Sequence, residues 1–278
     1  VVVGTGAYVS APVVLAARGR GVAVVLHEQN AYPGLANRLL ARWARPAAVA
    51  VGMPAAAAFF PCHRVVVTGN PVRREVLGRD RAAARAGLEI AADAMVPFVF
   101  GGSQGAHRLN LMLLEALPLL TAERERLHIL HATGEQDVEA VREGYRTLGF
   151  RAVVTPFFRD MGAAYAAADF ALCRAGASTL AELAAVGLPA LLVPYPFAAN
   201  DHQRRNAEAA VRSAAASLVL DRELTGEAVA AFIRRAVHAP EGLGEMARRA
   251  RALAAPDAAD RVAALVAEAV AAREKGKG

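Results

Sequence analysis

Cysteine is scarce in this chain: Cys62 and Cys173 are the only two in 278 residues, far apart and each in apolar surroundings. That pattern excludes a disulfide framework and reads as two buried thiols of a reducing compartment. No Cys/His spacing fits a zinc site, so no metal is expected. Lysine occurs only at 275 and 277. Arginine replaces it along the whole length, so an arginine marks no site merely by not being a lysine. No apolar run reaches the roughly 18 residues that cross a bilayer, and nothing has the layout of a signal peptide. A D-x-D pair for a diphosphate-bound cation is missing, as are a G-x-S-x-G elbow, an HExxH helix and a phosphate loop followed by Lys. A chain that handles a nucleoside diphosphate without those devices must neutralise it with helix ends and arginine.

What is present makes a folded protein. The composition is 55% hydrophobic and 21% charged, and the length suits two domains. Charge is uneven. Residues 1–70 hold Arg18, Arg20, Arg38, Arg42, Arg45 and Arg64 against one acid, Glu28, so nearly all of the net +6 lies there. A basic, Trp-containing half fits an anionic membrane, a nucleic acid or plain solvent. Val1–Val3 reads as the end of a strand, and the chain is expected to lack its natural start.

Strand and helix patterns alternate throughout, which predicts two α/β domains with mostly parallel sheets. The first strand ends in Gly4-Thr5-Gly6, then Tyr8 and a helix over 12–18. A strand over 22–26 ends in His27-Glu28-Gln29-Asn30, four polar groups where an open parallel sheet binds ligands. The rigid Gly69-Asn70-Pro71-Val72-Arg73 joint predicts a boundary, with a partial N-terminal domain over 1–70 and a second domain over 71–255. A strand over 96–100 then runs into Gly101-Gly102-Ser103-Gln104-Gly105-Ala106 and a helix over 107–120, the geometry of an anion site. On that helix Asn110 faces either the core or the site. Phe157-Phe158 ends another strand and either packs the core or walls a base pocket.

The richest stretch is 174–206, predicted as turn, helix, turn, strand and polar loop. Gly187 and Pro189 end its helix. Thr179 and Glu182 fit a T-x-x-E capping box, but a carboxylate there equally suits the paired hydroxyls of a ribose. In the second case the amides of Ala177, Ser178 and Thr179 meet phosphate. Asp201, His202, Gln203 and Asn206 form a second polar group, read as a loop with a helix beginning at 207. Sequence alone supplies no role for Arg204-Arg205.

HEQN (27–30), GNPVR (69–73), GGSQGA…LN (101–110), FFRDM (157–161), CRAGASTLAEL (173–183), GLPALLVPYP (187–196) and DHQRRNA (201–207) stand in that order. Together they resemble the MurG family of peptidoglycan glycosyltransferases over nearly the whole chain. The resemblance implies a GT-B fold of two Rossmann-like domains, with a C-terminal helix over 256–278 packing back on the first. It implies transfer of N-acetylglucosamine from UDP-GlcNAc to lipid I, at the cytoplasmic face of the bacterial inner membrane, with no cofactor. An anionic membrane, not nucleic acid, is then the partner of the basic half. By position Glu182 takes the ribose, the Phe158 backbone the uracil, and Ser103, Arg73 and Ala177–Thr179 the diphosphate. Asn110 joins the donor site, Gln203, Asn206 and Asn30 read the sugar, and Tyr8, His27 and Glu28 line the acceptor side. The family's earlier G-G-T-G-G-H loop, whose His is a candidate base, is not in this sequence, so the general base is expected to lie outside it.

Overall fold

The computed structural model describes residues 1–61, 64–102 and 105–275. Ser103, assigned above to the diphosphate, lies outside the described residues. Two sheets are built from parallel strands joined by helices.

The first sheet has β1 (Val2–Gly4), β2 (Val24–Glu28), β3 (Ala48–Val51) and β4 (Val65–Val67) side by side in chain order. Its crossover helices α1 (Ser10–Gly19) and α2 (Leu35–Ala44) bury Val14, Ala17, Leu40 and Ala44 against one face. The opposite face is covered from the far end of the chain. Helix α11 (Ala258–Lys275) packs Leu265 and Ala269 on Val25, Ala48 and Ala50. Burial on both faces is why β2 and β3 read as unbroken apolar runs rather than alternating ones.

The second sheet follows α3 (Arg81–Gly87). It takes β5 (Pro97–Phe100), α4 (His107–Ala116), β6 (His128–Ala132), α5 (Val138–Thr147), β7 (Arg151–Thr155), α6 (Met161–Ala167) and β8 (Phe170–Cys173). Then come α7 (Ala177–Val186), β9 (Ala190–Leu192), α8 (His202–Arg212), β10 (Ser217–Leu218), α9 (Gly226–His238) and α10 (Glu241–Arg251). The strand order is β10-β9-β8-β5-β6-β7. Progress along the sheet reverses between β5 and β8, and ligands bind open α/β sheets in the crevice beyond the strand ends at such a point.

Two predicted helices are corrected. The helix expected over 107–120 ends at Ala116, and Leu117–Arg126 continues as 3₁₀ turns. Pro118 has no N–H for the α-ladder, and Leu120 leaves helical geometry at φ −112°. The polar stretch read as a loop before 207 is the start of α8, which runs from His202. Asn200 and Asp201, at φ 52° and 57°, turn the chain so that the helix begins early, with Asn206 buried and His202 and Gln203 half-buried.

Asn110 resolves toward the core. It is 1% exposed, and its Nδ2 donates to the Thr133 carbonyl at 2.9 Å and to Asp137 at 2.7 Å. Its Oδ1 accepts from His131 Nε2 at 3.0 Å, and His131 Nδ1 accepts from the Tyr145 hydroxyl at 2.9 Å. This chain of bonds fixes β6 to α4 and α5, and it corrects the placement of Asn110 in the donor site. Burial holds His131 neutral, with its pKa lowered to about 3.

The folded state therefore binds fewer protons than the unfolded one between pH 6.5 and about 3. The contribution of His131 to stability is complete above pH 6.5 and is lost as pH falls through that window. Denaturant melts from pH 7 to pH 4 are expected to show this loss, and His131→Gln to flatten the slope. Equal slopes in both proteins would remove His131 as its source.

Candidate active site

The loops after β5 and β8 face each other across the switch point. The β5 loop needs glycine on two counts at Gly105. Its φ is +73°, and a Cβ there would fall 2.2 Å from the Thr133 carbonyl oxygen. The backbone can thus turn tightly into α4 while lying against the end of β6.

On the β8 side, Gly176 is the N-cap of α7, with extended φ/ψ and no side-chain cap. The first bond of the helix runs from the Leu180 amide to the Gly176 carbonyl at 3.0 Å. The amides of Ala177, Ser178 and Thr179 stand ahead of that ladder and point out of the helix end, where the dipole favours an anion. This geometry also settles the Thr179 ambiguity. Thr179 is the third residue of α7 and not its cap, so no capping box with Glu182 exists.

Glu182 is held differently. Its Oε2 accepts from the Tyr165 hydroxyl at 2.9 Å and its Oε1 from Arg73 Nη2 at 3.2 Å. The carboxylate is mostly buried, with side-chain exposure of 13%, while that of Arg73 is 60%. Burial and the Glu182 charge push the Tyr165 phenol well above its ordinary pKa, so it stays a donor. Tyr165 was not singled out in the sequence. It lies 17 residues from Glu182 on another helix, and no local pattern joins them. Arg73 reaches Glu182 here rather than the helix end.

Phe158 is 7% exposed and packs edge-on against Phe98, ring centroids 5.4 Å apart. Its side chain is therefore core, and only its backbone can meet a base. The Gln203 Oε1 accepts from the amides of Ala175 and Tyr195, both at 3.0 Å, and so ties the β8 and β9 exits together. Its Nε2 has no partner among the described residues.

Asn206 and Asn30 are corrected as free sugar readers. Asn206 is fully buried. Its Oδ1 accepts from the Ala31 amide at 2.9 Å, and its Nδ2 donates to Asn30 Oδ1 at 3.1 Å and to the Ala175 carbonyl at 3.3 Å. Beside it the His202 Nδ1 donates to the Tyr32 carbonyl at 3.2 Å, and the Arg205 guanidinium lies 4.1 Å over the Tyr32 ring. The first two turns of α8 are thus a clasp on the loop after β2, which gives Arg205 the role its sequence withheld.

The acceptor-side expectations fare unequally. Glu28, 2% exposed, accepts from the Asn30 amide, Asn30 Nδ2, the Gly34 amide and Asn37 Nδ2, at 2.9–3.1 Å. Those four donors saturate the carboxylate, which organises the loop and the start of α2. His27, 5% exposed, accepts at Nδ1 from Gln29 Nε2 and faces the Gly69 carbonyl through Nε2 at 3.4 Å. Burial lowers its pKa. Both groups are structural in this arrangement, and neither is placed to take a proton from an acceptor. Tyr8, in the turn after β1, is 75% exposed. A separate cavity of about 540 Å³, lined in part by Gly187, Leu188 and Pro189, opens where β9 begins and not at the strand ends where ligands bind.

The glycosyltransferase family 28 C-terminal domain matches residues 96–262, and the N-terminal domain of that family matches residues 1–49. The UDP-N-acetylglucosamine--N-acetylmuramyl-(pentapeptide) pyrophosphoryl-undecaprenol N-acetylglucosamine transferase of Citrifermentans bemidjiense is 48% identical over 261 residues. That match covers 94% of this chain and 71% of the relative. The crystal structure of MurG from Acinetobacter baumannii aligns with a TM-score of 0.78 at 35% identity, over 96% of this chain and 72% of the other. A UDP-GlcNAc 2-epimerase from Neisseria meningitidis aligns with a TM-score of 0.68 at 14% identity, over 96% of this chain and 74% of the other, and shares the fold alone. The chain belongs to glycosyltransferase family 28, and its two parallel sheets are the two halves of a GT-B fold.

Proposed function

We propose that the protein transfers N-acetylglucosamine from UDP-GlcNAc to the C4 hydroxyl of lipid I, the undecaprenyl-diphosphate-linked muramoyl-pentapeptide, and so makes lipid II for peptidoglycan. The observation that carries this reading is the pairing of an open helix end with a buried carboxylate at the switch point of a family 28 chain. UDP presents a ribose diol next to a diphosphate. Glu182 can accept both ribose hydroxyls in place of the Arg73 bond, with Tyr165 keeping the carboxylate oriented. Arg73, released, turns to the diphosphate beside the Ala177–Thr179 amides. The free Gln203 Nε2 is the donor best placed to read the sugar, since Asn206 is occupied in the clasp. Inversion follows if the acceptor oxygen forms its bond to C1 from the face opposite the departing UDP. The leaving diphosphate then gains charge where the helix end and arginine lie.

The enzyme given UDP-GlcNAc and a lipid I analogue is expected to release UDP and make the disaccharide. With UDP-GlcNAc alone it should leave the sugar unchanged, and epimerised sugar in that control would overturn the transfer reading. Glu182→Ala should weaken UDP binding about tenfold by calorimetry, the loss of one or two charged hydrogen bonds. Thr179→Ala removes neither a cap nor an amide and should leave melting temperature and UDP affinity near wild type. A Glu182→Ala protein that melts earlier yet binds UDP normally would make the carboxylate structural.

We also infer a peripheral place at the cytoplasmic face of the inner membrane. No helix among the described residues is long and apolar enough to cross a membrane. Tyr8, Val9, Val13 and Trp43 are 58–83% exposed on the basic N-terminal half. The protein is expected to sediment with phosphatidylglycerol vesicles and not with phosphatidylcholine vesicles, and equal binding to both would rule out charge as the attraction.

A further inference from the structure

A second cavity, of about 500 Å³, lies between the two halves of the molecule. One face of α7 (Leu180, Leu183, Ala184) and one of α8 (Ala209, Ala210) line it, whereas Glu182 and Gln203 do not. Asn206, Leu188, Ala190, Ser213 and Ala215–Ala216 also line it, together with the Gly69–Val72 joint, the segment around Met53 and the linker Leu253–Ala255. Its volume falls in the range of small-molecule sites.

The wall is mostly apolar. Among the described residues it contains no aromatic side chain and no carboxylate, and its charged residues are Arg212 and Arg261. Arg261 is engaged with Asp257 at 2.7 Å. Arg212, exposed at the end of α8, has no acceptor among the described residues. A wall without aromatic faces offers no stacking to a nucleobase or other flat ring. A wall mostly of alanine, leucine, valine and methionine, with Asn70, Asn206 and Ser213 as its polar side chains, suits saturated hydrocarbon, and a cation at the edge selects a negative head.

We propose that this cavity binds a single acyl chain with an anionic head: the chain between α7, α8 and the linker, the head on Arg212. The site does not include Glu182 or Gln203, although it borders the Asn206 clasp, and the proposal stands whatever sugar acceptor the enzyme uses. Decanoate is the probe, with 1-decanol as its uncharged counterpart. Calorimetry on the full chain is expected to show one saturable decanoate site, and decanol binding about tenfold weaker. Arg212→Glu should weaken decanoate by a similar factor. Ala209→Phe, which fills the cavity, should abolish decanoate binding while UDP affinity stays unchanged. If Ala209→Phe fails to fold, Arg212→Glu alone carries the test, because its side chain lies on the surface. The proposal falls if decanoate shows no saturable binding, if decanol binds as well as decanoate, or if Arg212→Glu binds decanoate like wild type.

Discussion

One buried amide sets the geometry on which the site depends. Asn206 spends its carboxamide on the loop after β2 and on the turn before α7, 175 and 31 residues away in the chain. A buried amide left without partners costs on the order of 1–3 kcal/mol, so these bonds favour the two sheets at this separation. Glu28 supports the arrangement from the other side by holding the Asn30 amide and side chain in place. Gln203, one turn before Asn206, joins the exits of β8 and β9. The open end of α7 is therefore positioned by α8, and α8 by its grip on the first sheet.

Much of the fold was legible because parallel sheets covered on both faces leave uninterrupted apolar runs. Val24–Leu26, Phe98–Phe100 and Ala171–Cys173 announce themselves in that way, and Gly187, at φ +66°, stops α7 where the sequence says it should. The start of α8 was not legible. His202, Gln203 and Asn206 are polar, and polarity between a strand and a helix reads as loop. Only the presence of the other half of the molecule, across roughly 170 residues of sequence, turns them into a buried helical face. The helix after β5 failed for a local reason that was available, since Pro118 stood inside the predicted span.

The two carboxylates of interest show how site reading divides. At Glu182 the spacing to Thr179 allowed a cap or a ligand acceptor, and the decision rested on which residue caps α7, a matter of backbone geometry. At Glu28 the decisive partners, Asn30, Gly34 and Asn37, are all within nine residues. A carboxylate followed by so many nearby donors is more economically explained as the organiser of a loop than as a reactive group. The polar cluster at the end of β2 was real, but its polarity is satisfied internally.

The chain passes between the halves twice, outward at Gly69–Arg73 and back along Leu253–Asp257 to α11. The two passages touch. Gly69, at φ +80°, lies so close to Ala255 that a Cβ on it would fall 2.2 Å from the alanine methyl carbon. Two tethers packed side by side tie the halves together at one point. A side chain added at residue 69 would push the two tethers apart, shifting one half against the other without touching a residue that faces the cleft.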